Sequence, residues 1–286
     1  MNETALPAVE QRSTKPRKSV TRWIGLAAAC LGIFIVLRWF EHSQVFHPSR
    51  NMVPAGDMGH PCEEVWLKTS DGVRLNAWFF SAPTHSPRSR IAVLFCHGNA
   101  GNISHRGALY DLLLSTGVAV MSFDYRGYGK SEGRPTEEGT YRDAQAAYEW
   151  LRARGFAATN IIAFGESLGG GVAAELAVRE KVGGLVLQST FTSVPDIGAE
   201  LFPWLPVRWL GTIRYDTHSK LPGIHVPVLV MHSRADDLIG VKHSERNFAA
   251  ANDPKWYWEI YGGHNGGLDD RERFLQGIEQ FLAKTQ

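Results

Sequence analysis

Cysteine is scarce in this chain. Its three thiols, Cys30, Cys62 and Cys96, are scattered and form no C-x-x-C pair, so no disulfide framework or zinc site is written into the spacing. Cys96 falls in an apolar run and is expected in the core. Histidines at metal-ligand spacing are also lacking. No H-x-x-x-H or similar set occurs, and a metal would need two or three ligands close together. An excess of charge of one sign is missing as well. The formal net charge is +1 over 286 residues, and the body of the chain carries no dense Lys/Arg patch, which gives nucleic-acid binding no support. After residue 64 no internal repeat or low-complexity tract is present. The length allows one full-size catalytic domain plus an appendage.

The first 50 residues differ in kind from the rest. Residues 1–22 form a polar tail that turns basic, with Arg12, Lys15, Arg17, Lys18 and Arg22. An apolar run, Trp23 to Leu37, follows and is closed by Arg38, Trp39 and Phe40. At about 1.5 Å per residue the run is slightly short for a bilayer core. Arg38 is able to snorkel, and the flanking tryptophans suit the interface. Residues 23–40 are read as a single-pass signal anchor. The basic flank places the N-terminus in the cytoplasm and the body on the periplasmic or other extracytoplasmic side. A cleaved signal peptide, with Ala27-Ala28-Ala29 as its small-residue site, is the competing reading.

Residues 41–64 read as a connector containing proline and glycine. After it, strand and helix patterns alternate. Glu64–Thr69 and Val73–Phe80 form a hairpin about Ser70-Asp71-Gly72. Strands are expected at Ile91–Phe95, Val118–Phe123, Ile161–Phe164, Leu185–Gln188, Val228–His232 and Trp256–Tyr261. Helices are expected at Ser104–Ser115, Thr136–Arg154, Leu168–Glu180, Lys242–Ala251 and Leu268–Lys284. Short apolar strands separated by amphipathic helices imply a mostly parallel sheet with helices on both faces. The catalytic domain is set at residues 65–286. Within it, Phe191–Ile224 is longer than an ordinary connection and rich in tryptophan and proline. That length suggests a small cap insertion over the active-site end of the sheet. A set of helices completing the core is the other reading.

Glycine is plentiful, and its most informative use is Gly165-Glu166-Ser167-Leu168-Gly169. This G-x-S-x-G lies between the apolar run Ile161–Phe164 and a small-residue helix pattern. Strand, tight turn and helix together make it a nucleophile elbow. A serine hydroxyl needs a base and a group to orient that base. For a serine on such an elbow the acid comes next in the chain and the histidine last. Asp236 follows the strand Val228–His232, and His264 follows the strand ending at Tyr261, flanked by Gly262 and Gly263. Both fall at the C-terminal edge of the sheet, with Ser167. Asp237 is the alternative acid. His232 reads as a packing residue at a strand end. The oxyanion donors are expected to be the Leu168 N–H and, from His97-Gly98-Asn99-Ala100-Gly101-Asn102, the Asn99 N–H, with Ala100 close behind.

With these residues assembled, the chain resembles the α/β-hydrolase superfamily of serine hydrolases. Three further stretches sharpen the likeness: His97–Asn102, Phe123–Gly133 (FDYRGYGKSEG) and Ser189–Ser193. Together they resemble the membrane-anchored branch that includes the α/β-hydrolase-domain-containing proteins thirteen and seventeen. The likeness runs from about Phe46 to the C-terminus. It implies an eight-stranded sheet, a triad of Ser167, Asp236 and His264, and hydrolysis of esters or thioesters, acylated proteins among them. Ser233 and Gly240 depart from the common pattern. The stretch Asp124–Gly127 is read as a turn stabilised by local hydrogen bonds. The expected partners are a lipid-like or small ester, or an acylated protein, and a membrane. Neither cofactor nor metal is expected.

Overall fold

The computed structural model describes residues 17–285. Most of the basic tail therefore lies outside the described residues. The chain divides into two compact units, the second running from Gln44. Helix α1, Arg17–Val45, makes up the described part of the first and ends two residues inside the second. Within this helix, Arg22–Val45 is long and apolar enough to cross a membrane, with a mean hydropathy of 2.0. The apolar run read as slightly short is thus only the middle of a longer helix. An Arg38–Glu41 ion pair at i,i+3 spacing, 2.8 Å, supports the last turns.

The first strand of the second unit is the two-residue β1, His47–Pro48. Then come β2 (Glu63–Lys68), β3 (Arg74–Phe80), β4 (Ala92–Cys96) and another two-residue strand, β5 (Ala100–Gly101). The chain continues through α2 (Gly107–Ser115), β6 (Ala119–Phe123), α3 (Glu137–Ala153), β7 (Ile161–Glu166), α4 (Leu168–Arg179) and β8 (Gly184–Gln188). Three short helices follow, α5 (Val194–Leu201), α6 (Val207–Leu210) and α7 (Thr217–Lys220). The chain closes with β9 (Val228–Ser233), α8 (Lys242–Ala250), β10 (Lys255–Ile260) and α9 (Arg271–Lys284).

Eight strands form one sheet in the order β10-β9-β8-β7-β4-β6-β3-β2. Strands β2 and β3 run antiparallel to their neighbours, and all other pairs are parallel. The sheet has two apolar faces because side chains alternate along each strand. In β4, Leu94 and Cys96 face one core, while Val93 and Phe95 face the other. The first core also takes Ala144 and Ala147 of α3 and Val172 and Ala173 of α4. The second takes Leu109 and Leu113 of α2 and Phe274 and Phe281 of α9. A chain buried on both faces reads as near-continuous apolar runs, which is why these strands were legible.

The helix expected from Ser104 starts as a 3-10 turn, Ile103–Arg106. The Asn102 side chain caps that turn by accepting the Ser104 N–H.

The stretch Phe191–Ile224 divides between the two readings of it. Phe191, Ile197, Tyr215, Leu221 and Ile224 belong to the first core. The middle stands out in solvent, with Trp204 75% and Trp209 91% exposed. Its two ends meet where the Val194 N–H donates to the Arg214 carbonyl, 2.8 Å. This excursion leaves the C-terminal end of β8, on the edge where β7 delivers Ser167.

Candidate active site

Ser167 sits between β7 and α4 at φ 52°, ψ −117°. That left-handed backbone is costly for a residue with a Cβ and persists only where its surroundings enforce it. They do so on both sides. The Ser167 N–H donates to the Gln188 carbonyl at 2.9 Å. The Thr190 hydroxyl donates to the Ser167 carbonyl at 2.6 Å. The elbow glycines answer to close backbone approach. A Cβ on Gly169 would lie 1.9 Å from the Cys96 carbonyl oxygen, and one on Gly165 would lie 2.2 Å from the Gly169 oxygen.

The sheet brings the three expected side chains together. Ser167 Oγ is 3.0 Å from His264 Nε2. His264 Nδ1 is 2.9 Å from Asp236 Oδ2 and 3.2 Å from Oδ1. Ser167 and His264 retain only 7% and 9% of their exposure. Burial alone would raise the Asp236 carboxyl. The bonds it accepts from His264 and from the Ile239 and Leu238 N–H groups outweigh that and hold it below its ordinary value. Asp236 is therefore ionised and faces the ring nitrogen remote from the serine. Asp237 makes a different contact. Its Oδ1 accepts the main-chain N–H of His264 at 2.8 Å, so it holds the loop and not the imidazole. His232, at the end of β9, is buried, and burial lowers its pKa. Its Nε2 lies 2.8 Å from the Ile239 carbonyl and 3.4 Å from Asp236. It packs against the acid loop through these two contacts.

The glycine-containing loop after β4 lies against the serine. A Cβ on Gly98 would sit 3.5 Å from the Ser167 Cβ. Neither the Asn99 nor the Leu168 N–H is taken up by a hydrogen bond among the described residues. Leu168 opens α4, where the first N–H groups have no partner within the helix. Arg106 flanks the loop, with Nε 3.3 Å from Glu166 Oε2. Among the described residues no group of three or more His, Cys, Asp or Glu side chains gathers as a metal would require.

The turn Asp124–Gly127 has the local hydrogen bonds expected of it: the Tyr128 N–H donates to the Tyr125 carbonyl at 2.9 Å and the Gly127 N–H to the Glu132 carbonyl at 2.8 Å. It is also tied to residues distant in sequence. Arg126 reaches both Asp143 and Asp71, at 2.9 Å and 2.8 Å. Tyr125 and Tyr128 donate their hydroxyls to the His97 and Asn99 carbonyls, at 2.9 Å and 2.8 Å. Sequence reasoning missed this because a tyrosine's partner in another loop leaves no periodic trace. The connector holds a second surprise: β1 pairs in parallel with β5, inside the loop beside Ser167.

Comparison with known proteins agrees with this architecture. A sequence profile of the alpha/beta hydrolase fold matches residues 91–265. The uncharacterized protein Rv2307c of Mycobacterium tuberculosis is 40% identical over 264 residues, 91% of this chain and 93% of its own. The alpha/beta hydrolase domain-containing protein WAV2 of Arabidopsis thaliana is 37% identical over 66% of each chain. Among solved structures, the Pyrococcus furiosus esterase Pf2001 superimposes with a TM-score of 0.67 at 22% identity, covering 84% of this chain and 97% of its own. An alpha-beta hydrolase from Vibrio vulnificus does so at 0.68 and 20% identity, covering 98% of both.

Proposed function

The chain belongs to the alpha/beta hydrolase fold family, and on that premise we propose that it is a serine hydrolase of carboxylic esters or thioesters. Ser167 attacks the acyl carbonyl carbon. His264 Nε2 takes the hydroxyl proton and passes it to the leaving alkoxide or thiolate. Asp236 keeps the imidazole in the tautomer that leaves Nε2 free to accept, and stabilises the imidazolium that forms. The Asn99 and Leu168 N–H groups hold the developing oxyanion, a contribution worth about 3 kcal/mol per donor in comparable sites. Water, activated by His264, then releases the acid from the acyl-enzyme.

The observation that carries this reading is the hydrogen-bonded relay from Ser167 through His264 to Asp236, built on a serine at positive φ. A peptidase or amidase would use the same groups. The exposed apolar tip at Trp204 and Trp209 and the N-terminal apolar helix favour a lipid-like or acylated substrate. We place the second unit on the extracytoplasmic side of a membrane, on the basic N-terminal flank of the helix. Turnover of a p-nitrophenyl ester series, set against aminoacyl amides, tests the assignment. Ester cleavage is expected to exceed amide cleavage, and Ser167→Ala to lose about 10⁶-fold in kcat. Ester turnover retained in Ser167→Ala would contradict it.

A further inference from the structure

Five successive carbonyls, His97 to Gly101, are each taken by a donor, four of them from outside the loop and one from the loop's own His97 side chain. The His97 oxygen accepts from the Tyr125 hydroxyl, 2.9 Å. The Gly98 oxygen is 2.7 Å from His97 Nδ1. The Asn99 oxygen accepts twice, from the His47 N–H at 3.0 Å and the Tyr128 hydroxyl at 2.8 Å. The Ala100 oxygen accepts from the Arg106 guanidinium at 3.0 Å. The Gly101 oxygen accepts from the Ser49 N–H at 3.0 Å. A peptide unit is planar and trans, so fixing a carbonyl fixes the next residue's N–H in the opposite direction. The bond on Gly98 therefore aims the Asn99 N–H, and the pair on Asn99 aims the Ala100 N–H. Both peptide planes flanking the Asn99 Cα are held.

Two of these donors, His47 and Ser49, belong to the segment that leaves the N-terminal helix. One residue, Phe46, separates the last residue of α1 from β1. The segment is itself stitched down. Asn102 Nδ2 donates to the Ser49 and Asn51 carbonyls, at 3.2 and 2.7 Å. The Gly129 N–H donates to the Ser49 carbonyl at 2.9 Å. Arg50 donates to the Gly129 and Ser131 carbonyls, at 3.1 and 2.9 Å.

We propose that the exit strand of the N-terminal helix, His47–Ser49, together with Tyr128, holds the peptide that follows Asn99 and so keeps the Asn99 oxyanion donor of the Ser167 site in position. This inference rests on the serine-hydrolase reading and adds to it a dependence of catalysis on residues just beyond the apolar helix. A loop of small residues does not hold its own N–H groups on target. Glycine leaves the backbone free, and a donor displaced by a fraction of an ångström loses most of its value in the transition state. His47, Ser49 and Tyr128 touch no reacting atom. They are positioning residues, acting through the Asn99 and Gly101 carbonyls.

The test uses the full-length protein in detergent, with active sites titrated by a fluorophosphonate. His47→Pro removes the main-chain donor, Tyr128→Phe removes the hydroxyl and keeps the ring, and His47→Ala keeps the N–H. We expect kcat per titrated site, for a p-nitrophenyl ester, to fall about tenfold or more in the first two, with KM little changed. His47→Ala is expected to retain wild-type kcat. If His47→Pro does not fold, Tyr128→Phe carries the test alone. Wild-type kcat per site in the folded donor-lacking variants, with only thermal stability reduced, would overturn the proposal. A folded wild type that takes no label would sink the parent reading, whereas a labelled wild type with unaltered variants overturns this inference alone.

Discussion

At the scale of single residues, two adjacent aspartates divide two tasks. Asp236 faces the His264 imidazole and Asp237 the His264 main chain. Sequence order brought both to the right loop but did not separate them, because neighbouring positions on a turn share every pattern signal. The rotation of the loop after β9 makes the choice. Asp236→Asn should lower kcat about 10⁴-fold by stabilising the wrong imidazole tautomer, whereas Asp237→Asn should cost far less. Equal losses in the two, measured per titrated site, would reverse the assignment. His97 offers a second check. Burial lowers its pKa from 6.5 to about 3, and the neighbouring Arg106 and His105 charges act in the same sense. A histidine buried neutral contributes stability that is present above its unfolded pKa and lost as pH falls toward the folded one. Asp124, 3.8 Å away, acts with the opposite sign, since burial raises its pKa to about 7. Replacing His97 removes only the acid-side loss. His97→Gln should therefore lose less thermal stability than the wild type between pH 6.5 and about 4, followed by calorimetry. Parallel curves would show that His97 carries no such linkage.

At the scale of elements, the strands, the elbow and the two late loops were legible because each had a period or a fixed spacing. Apolar runs marked β4, β6, β7, β8 and β9. The glycines of the elbow marked places where backbones touch. Gly169→Ala should cost about 3 kcal/mol or more, since the new methyl meets main-chain atoms that cannot rotate away. The pairing of β1 with β5 was not legible. His-Pro and Ala-Gly carry no alternation, and the bonds that join them come from the main chain. The excursion after β8 was legible as an irregular stretch but not as two parts. Its buried ends and exposed middle share the same aromatic composition, and only packing separates Tyr215, fully buried, from Trp209, almost fully exposed. Trp204→Ser with Trp209→Ser should leave stability within about 0.5 kcal/mol. The same pair should raise KM for long-chain esters more than for short ones. An unchanged chain-length profile would remove the tip from substrate recognition.

At the scale of the whole molecule, an apolar N-terminal helix and a hydrolase-fold unit share one chain. The elbow, the acid loop and the histidine loop all open on the C-terminal edge of one sheet, which is why residues 97 and 28 positions apart in sequence meet as a relay. If the helix is retained as an anchor, the mature protein should keep its full mass and stay with membranes through an alkaline wash. A mass starting near Ala29 would instead mark the helix as a cleaved signal. The proposed nucleophile is Ser167. The most direct test of that assignment is a fluorophosphonate reaction on the folded full-length protein, followed by peptide mapping. The adduct is predicted on Ser167 alone and is lost in Ser167→Ala and strongly slowed in His264→Ala. A folded protein that takes no adduct, or one that carries it on another serine, would contradict the assignment.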